Sequence, residues 1–234
     1  MPEGPTHSTV PTPGTAVPGR VVAGSEPWQP GAAAPEIASS AGGYVFFKPA
    51  EAAFVEAAVA RLIPADELGG GAIEADVPLF IDRQLNGDFG NATRWYMQGP
   101  WGEPTKTQGY QTRLTPAQFY RAAIQAIDAV STRMHGQAFA ALNGDRQDDF
   151  LRVLESGAIA LDGVDGQAFF GLLLQNTIEG FFCDPVHGGN KDMIGWKLIG
   201  FPGARYEQRF FLKAFNQPFP LPPVGIAGRR EWSR

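Results

Sequence analysis

The chain has 234 residues, 44% of them hydrophobic and 18% charged, with a formal net charge of 19 − 24 = −5. A negative balance without a block of Lys or Arg argues against nucleic acid or an anionic membrane surface as partner, because both require concentrated positive charge. No apolar run reaches the roughly 18 residues needed to cross a bilayer, and a single cysteine, Cys183, excludes an internal disulfide, a Cys-x-x-Cys zinc site and cysteine-held haem or iron–sulfur groups within the chain.

Residues 1–43 hold eight prolines and seven glycines among Ala, Ser and Thr, too little apolar surface to offset the entropy of ordering. The segment reads as an extended or disordered arm with Trp28 as its one anchor. It shows no basic stretch followed by an apolar core, so the sequence as given carries no signal peptide pattern.

Order begins at Tyr44-Val45-Phe46-Phe47. Pro49 suits a first helical turn, where its missing N–H has no intrahelical partner to lose. Phe54, Val55, Ala58, Val59 and Leu62 then recur at three- and four-residue steps, giving one apolar stripe on a helix to about Ile63. After Pro64 and the Gly69-Gly70-Gly71 turn, Ile73, Val77, Phe80, Ile81 and Leu85 continue a second helical pattern with Pro78 at a break or kink.

From Asn86 to Thr112 glycine and proline punctuate Phe89, Trp95, Tyr96, Trp101 and Tyr110. A loop longer than about 12–15 residues is uncommon in a compact domain unless it binds something or is disordered. This aromatic loop is expected to serve an interface, the alternative being that it covers its own core.

Thr115-Pro116 is a strong helix start, followed by helical apolar periodicity from Phe119 to about His135. A further helix is expected over Asn143 to Ser156, with Gly157 in the stop position, and a more apolar one over Gln167 to Phe182. On that last helix Gln175, Asn176, Glu179 and Cys183 are assigned to one polar face and Phe170, Leu173, Thr177 and Phe181 to the opposite one. A polar stripe on a buried helix must find hydrogen-bond partners within the chain, in water or on another chain. No segment alternates convincingly like a strand, so the fold is mainly α: a compact helical domain over 44–206, with long irregular loops and with extended N- and C-terminal arms over 1–43 and 207–234.

The densest chemical constellation is the turn from Asn176 to Asp192, which gathers Glu179, Cys183, Asp184, His187 and Asp192. Cys183 with His187 could be a nucleophile and base, or Asp184, His187 and Asp192 a metal site. The competing reading is a structural or interface turn, since Asp184-Pro185 and Gly188-Gly189 are turn signals and Asn190 suits the cap of a helix starting at Lys191. Neither a Gly-x-Gly-x-x-Gly nor a Gly-x-x-x-x-Gly-Lys-Ser/Thr cradle is present, which leaves no sequence carrier for a dinucleotide or triphosphate. At the C-terminal end Arg205, Tyr206, Arg209, Phe210, Phe211, Lys213 and Phe215 mix the residue types enriched at interfaces. Pro218, Pro220, Pro222 and Pro223 favour an extended strand that wraps a neighbour or folds back on its own core.

The stretch Gln175-Asn-Thr-Ile-Glu-Gly-Phe-Phe-Cys-Asp-Pro-Val-His-Gly-Gly-Asn-Lys-Asp-Met-Ile-Gly-Trp-Lys-Leu-Ile-Gly-Phe-Pro-Gly203 closely resembles the signature of the gluconate 2-dehydrogenase subunit 3 family. Phe54 to Glu67, Tyr96 to Trp101 and Gly109-Tyr110 extend the resemblance to about residues 46–206. Cys183 and His187 depart from the family pattern, which more often has Ala and Tyr there, and the usual twin-arginine signal is not seen.

The resemblance implies the non-catalytic small subunit of a membrane-associated, periplasmic sugar or sugar-acid dehydrogenase complex. In such a complex an FAD-containing catalytic subunit of the glucose-methanol-choline type oxidises the substrate and a multihaem cytochrome c, carrying haem c, takes the electrons. The small subunit holds no cofactor and no known catalytic residue, and it stabilises the flavoprotein and aids its export through the twin-arginine route. The expected partner-facing residues in this chain are Trp95, Tyr96, Trp101, Tyr110, Glu179, Asp184, His187, Asn190, Trp196, Arg205, Tyr206, Phe210 and Phe211. The alternatives are an independent enzyme using Glu179, Asp184 and His187 with a divalent metal, or a sugar-acid-binding protein built on the 179–192 turn.

Overall fold

The computed structural model describes residues 43–102, 105, 107–205, 209 and 212–226. The proposed N-terminal arm and its Trp28 therefore lie outside the described residues, apart from Gly43. Among those described the chain is helical, with only isolated β-bridges at Asp66–Gly69, Leu161–Val164 and Gly203–Val224, and no helix is long and apolar enough to cross a membrane.

Helix α1, Pro49–Leu62, starts on proline as expected, and the Glu51 side chain accepts from Lys48 N at 2.8 Å. Its stripe buries Phe54, Val55, Ala58 and Val59 completely, while Leu62 is half-buried. The second helix, α2, is Val77–Asn86 and not a longer kinked one. Pro78 opens it because a proline without an N–H fits a first turn, and Ile73 instead lies in the preceding turn, closed by Val77 N donating to Ala72 O at 3.0 Å.

Helix α3, Pro116–His135, has the cap foreseen at Thr115, Gln118 N donating to Thr115 Oγ1 at 3.4 Å, and the structure adds the reciprocal bond, Thr115 N donating to Gln118 Oε1 at 3.0 Å. Asn143 caps α4, Gly144–Glu155, and Asp165 caps α5, Gly166–Phe182, each side chain accepting a backbone N–H at 3.0 Å. A short α6, Ile194–Ile199, follows.

Helix α5 is the centre of the bundle and packs against α1, α2, α3, α4 and α6. Its Phe169 ring lies 5.2 Å from Tyr120, 5.8 Å from Phe119 and 6.3 Å from Phe54. These tilted and edge-on contacts join three helices, and aromatic pairs of this kind add to the stabilisation from burial alone.

The single polar face assigned to α5 is corrected by the packing. Asn176 turns inward with Thr177, and its Nδ2 donates to the buried Tyr120 hydroxyl at 2.8 Å. Thr177 donates to Leu173 O at 2.7 Å, whereas Gln175 and Glu179 stay exposed and bond to each other at 2.8 Å. Asn176 is a neighbour of Leu173 and Gly180 at helical spacing, so it falls at the edge of the buried face. No buried side-chain nitrogen or oxygen among the described residues lacks a partner, so the stripe needs no second chain to satisfy it.

One contact network has no counterpart in the sequence reading. Asp82, on the core side of α2 and only 1% exposed, accepts backbone N–H groups from Val45, Phe46 and Phe47 at 2.8, 2.9 and 2.8 Å. This carboxylate pins the incoming segment to the bundle. Arg121 closes it from outside, its guanidinium 4.4 Å from the Phe46 ring and donating to Phe46 O at 3.1 Å.

Candidate functional site

The aromatic loop is folded onto the bundle by its own rings. Phe89 and Trp95 lie 5.7 Å apart, Trp95 and Tyr110 5.0 Å, and Tyr110 and Phe119 of α3 6.3 Å, a continuous ladder from surface to core. Tyr110 donates to Leu114 O at 2.7 Å, and burial pushes its phenol well above the ordinary value. Trp95 remains 39% exposed and Tyr96 80% exposed, with Trp101 half-buried. The loop thus covers its own core with Phe89, Trp95 and Tyr110 and turns Tyr96 outward.

The signature turn is built from the end of α5. Cys183 is extended at ψ 165°, which stops the helix, and Asp184 caps the one-turn helix Pro185–His187 by accepting from Val186 N at 3.0 Å. The second Asp184 oxygen accepts from Ile226 N at 2.6 Å. At Gly189 the backbone runs so close to α5 that an added Cβ would come within 2.3 Å of Gly180 O, a clash only glycine avoids.

Asn190 does not cap the following helix as the sequence suggested. It is in the left-handed conformation at φ 48°, and its side chain reaches across the turn: Nδ2 donates to Cys183 O at 2.8 Å while Oδ1 accepts from Gly195 N at 2.8 Å. Asparagine tolerates this backbone region better than other side chains. The next short turn, Lys191–Met193, is tied to the start of α2 by Lys191 N donating to Ala75 O at 3.2 Å and by the Lys191–Asp76 ion pair at 3.3 Å. Trp196 donates from Nε1 to Phe182 O at 2.8 Å and stacks edge-on with Phe201 at 5.1 Å.

These placements sort the candidates. Asn190 is 0% exposed and Trp196 5% exposed, so both are interior cross-links and not surface contacts; their polar atoms are engaged by the backbone of the same turn. Asp184 is likewise buried, while Glu179 and His187 are exposed. Arg205 is half-buried and donates to Pro202 O at 3.2 Å. Tyr206, Phe210 and Phe211 lie outside the described residues.

For chemistry the turn is poorly prepared. Both Asp184 oxygens hold backbone donors, Glu179 holds Gln175, and among the described residues no three His, Cys, Asp or Glu side chains converge to bind a metal. Burial pushes the Cys183 thiol from 9.0 up to about 11, the opposite of what a thiolate nucleophile requires. The folded chain is therefore expected to alkylate at Cys183 at pH 8 roughly a hundredfold more slowly than in denaturant, with the rate climbing towards pH 11, since 11 − 9 = 2 decades of thiolate are lost. Equal rates in iodoacetamide quench assays would show the thiol to be unburied.

Comparison with curated proteins and with solved structures gives no match. The family model of gluconate 2-dehydrogenase subunit 3 does match, over residues 49–203. That span runs from the first residue of α1 to the bridge at Gly203, taking in α1 to α6 and the cross-linked turn, and so the chain belongs to the gluconate 2-dehydrogenase subunit 3 family.

Proposed function

We propose that this chain is the non-catalytic small subunit of a gluconate 2-dehydrogenase-like complex, where it binds and stabilises an FAD-containing catalytic subunit of the glucose-methanol-choline type. The observation that carries the reading is the family match across the whole helical body. It is supported by the signature turn, whose buried polar groups are held by backbone groups of the turn and of the C-terminal segment and serve shape in place of chemistry. The exposed large side chains Tyr96, Leu198, Ile199 and Phe201 are the kind of surface that a partner protein covers.

In this reading the flavin belongs to the catalytic subunit and haem c to a multihaem cytochrome c, the third member. The complex is periplasmic and membrane-associated, and the flavoprotein is exported folded through the twin-arginine route with this chain as its escort. Co-expression of a flavoprotein encoded next to this chain, with and without it, tests the proposal. The expected result is co-purification and a several-fold higher yield of flavin-loaded protein; equal yield without a complex would sink it.

A further inference from the structure

Residues 212–226 lie beyond the family-matched stretch 49–203, yet the chain there is bound back onto the body. Proline at positions 218, 220, 222 and 223 removes four backbone donors, so the segment cannot lie down as a regular strand. Its described attachments run through backbone groups and Arg205. Val224 N donates to Pro202 O at 3.3 Å, Ala204 N donates to Val224 O at 2.6 Å, and Arg205 Nη2 donates to Pro222 O. Arg205 also lies 5.3 Å from the Phe219 ring.

The last attachment is Ile226 N on the Asp184 carboxylate, with the preceding Gly225 pressed so close that a Cβ there would stand 3.2 Å from Asp184 Oδ1. One carboxylate thus joins the signature turn to the end of the segment. Apolar burial holds it only in part: Phe219, Leu221, Pro223 and Val224 are half-buried, and no apolar side chain of the segment is fully buried. Leu212, Phe215 and Ile226 are 67%, 80% and 69% exposed, and none of them belongs to the core. A segment whose apolar side chains are at most half-buried, and whose described hydrogen bonds to the body run through backbone groups, opens at a free energy below that of global unfolding.

We propose that residues 212–226 form a releasable strap, latched to the helical body by Asp184 and able to detach while the bundle stays folded. Release uncovers the Asp184 carboxylate and the backbone edge at 202–204, two hydrogen-bonding surfaces that the strap otherwise occupies. Hydrogen bonds to a charged acceptor are stronger than neutral ones, which makes Asp184 the point where the latch is most sensitive. An asparagine there offers one acceptor oxygen in place of two and turns an amide donor towards a backbone N–H.

Amide hydrogen exchange on the full chain tests this. The strap amides and Ala204 are expected to exchange through an opening that leaves α3 and α5 protected, and Asp184→Asn to speed exchange at Ile226 and Val224 about tenfold or more. Truncation after residue 211 gives the second arm. It should leave protection of α3 and α5 unchanged while exposing the amide of Ala204. Strap amides that exchange only together with α5, an Asp184→Asn chain with unaltered exchange at Ile226, or a truncated chain whose α5 loses protection would each overturn the proposal.

Discussion

Asp82→Ala is expected to lower the stability of the folded chain by about 3–5 kcal/mol. A hydrogen bond to a charged acceptor contributes about 1.5–3 kcal/mol, and this carboxylate accepts three of them from Val45, Phe46 and Phe47. The loss falls short of the simple sum because the released segment can turn its N–H groups to water. It still costs packing: Phe47 is buried and its ring touches Tyr44, Phe46 and Tyr120 at 6.1, 5.3 and 6.4 Å. For a chain of this size the change corresponds to roughly 6–20 °C in melting temperature. Asp82→Asn should retain only part of the clasp. Urea titrations of both variants are the measurement, and a loss below about 1 kcal/mol for Asp82→Ala would mean that the incoming segment is not held by this residue.

Phe169→Ala is the second large effect, an expected loss of about 3–5 kcal/mol, the range for deleting a buried aromatic ring. Phe169 is fully buried in the first turn of α5, and its ring is shared by Phe54 of α1 and by Phe119 and Tyr120 of α3. The cavity would open where three helices meet, so relaxation of any one of them cannot fill it. Phe169→Leu, which keeps most of the volume, is expected to lose less. If calorimetry found the two variants equally stable, the aromatic hub would not be what holds α5 to α1 and α3.

Both effects arise from residues that the sequence describes only partly. The apolar periodicity of α5 is plain, and so is the need of Asn176 for a partner; that the partner is the Tyr120 hydroxyl, 56 positions away, is not. Asp82 stands among Phe80, Ile81 and Leu85 on α2, and an acid among apolar neighbours is a signal that could have been read. Its partners are backbone amides 35–37 positions away, and a backbone N–H carries no sequence mark. The same reason hid the role of Asn190. Its residue type suits both a helix cap and a left-handed bridge, and the choice was made by the positions of Cys183 O and Gly195 N.

The aromatic loop shows the same division. Its composition was evident, but whether Trp95 and Tyr110 face a partner or their own core depended on Phe119 standing behind them. The C-terminal segment was legible as extended and proline-rich, while its return to the body depended on Asp184 and on the carbonyl groups of Pro202 and Pro222.

By itself the sequence determined the helical class, the capped start of α3, the stripe of α1 and the family, because each of these rests on local periodicity, local capping or a contiguous motif. The tertiary structure alone decided which polar residues of the signature turn are buried cross-links, which aromatic rings face inward, and where the C-terminal strap is latched. Those outcomes depend on backbone groups brought together from distant positions, and a backbone group is the same in every residue that supplies it.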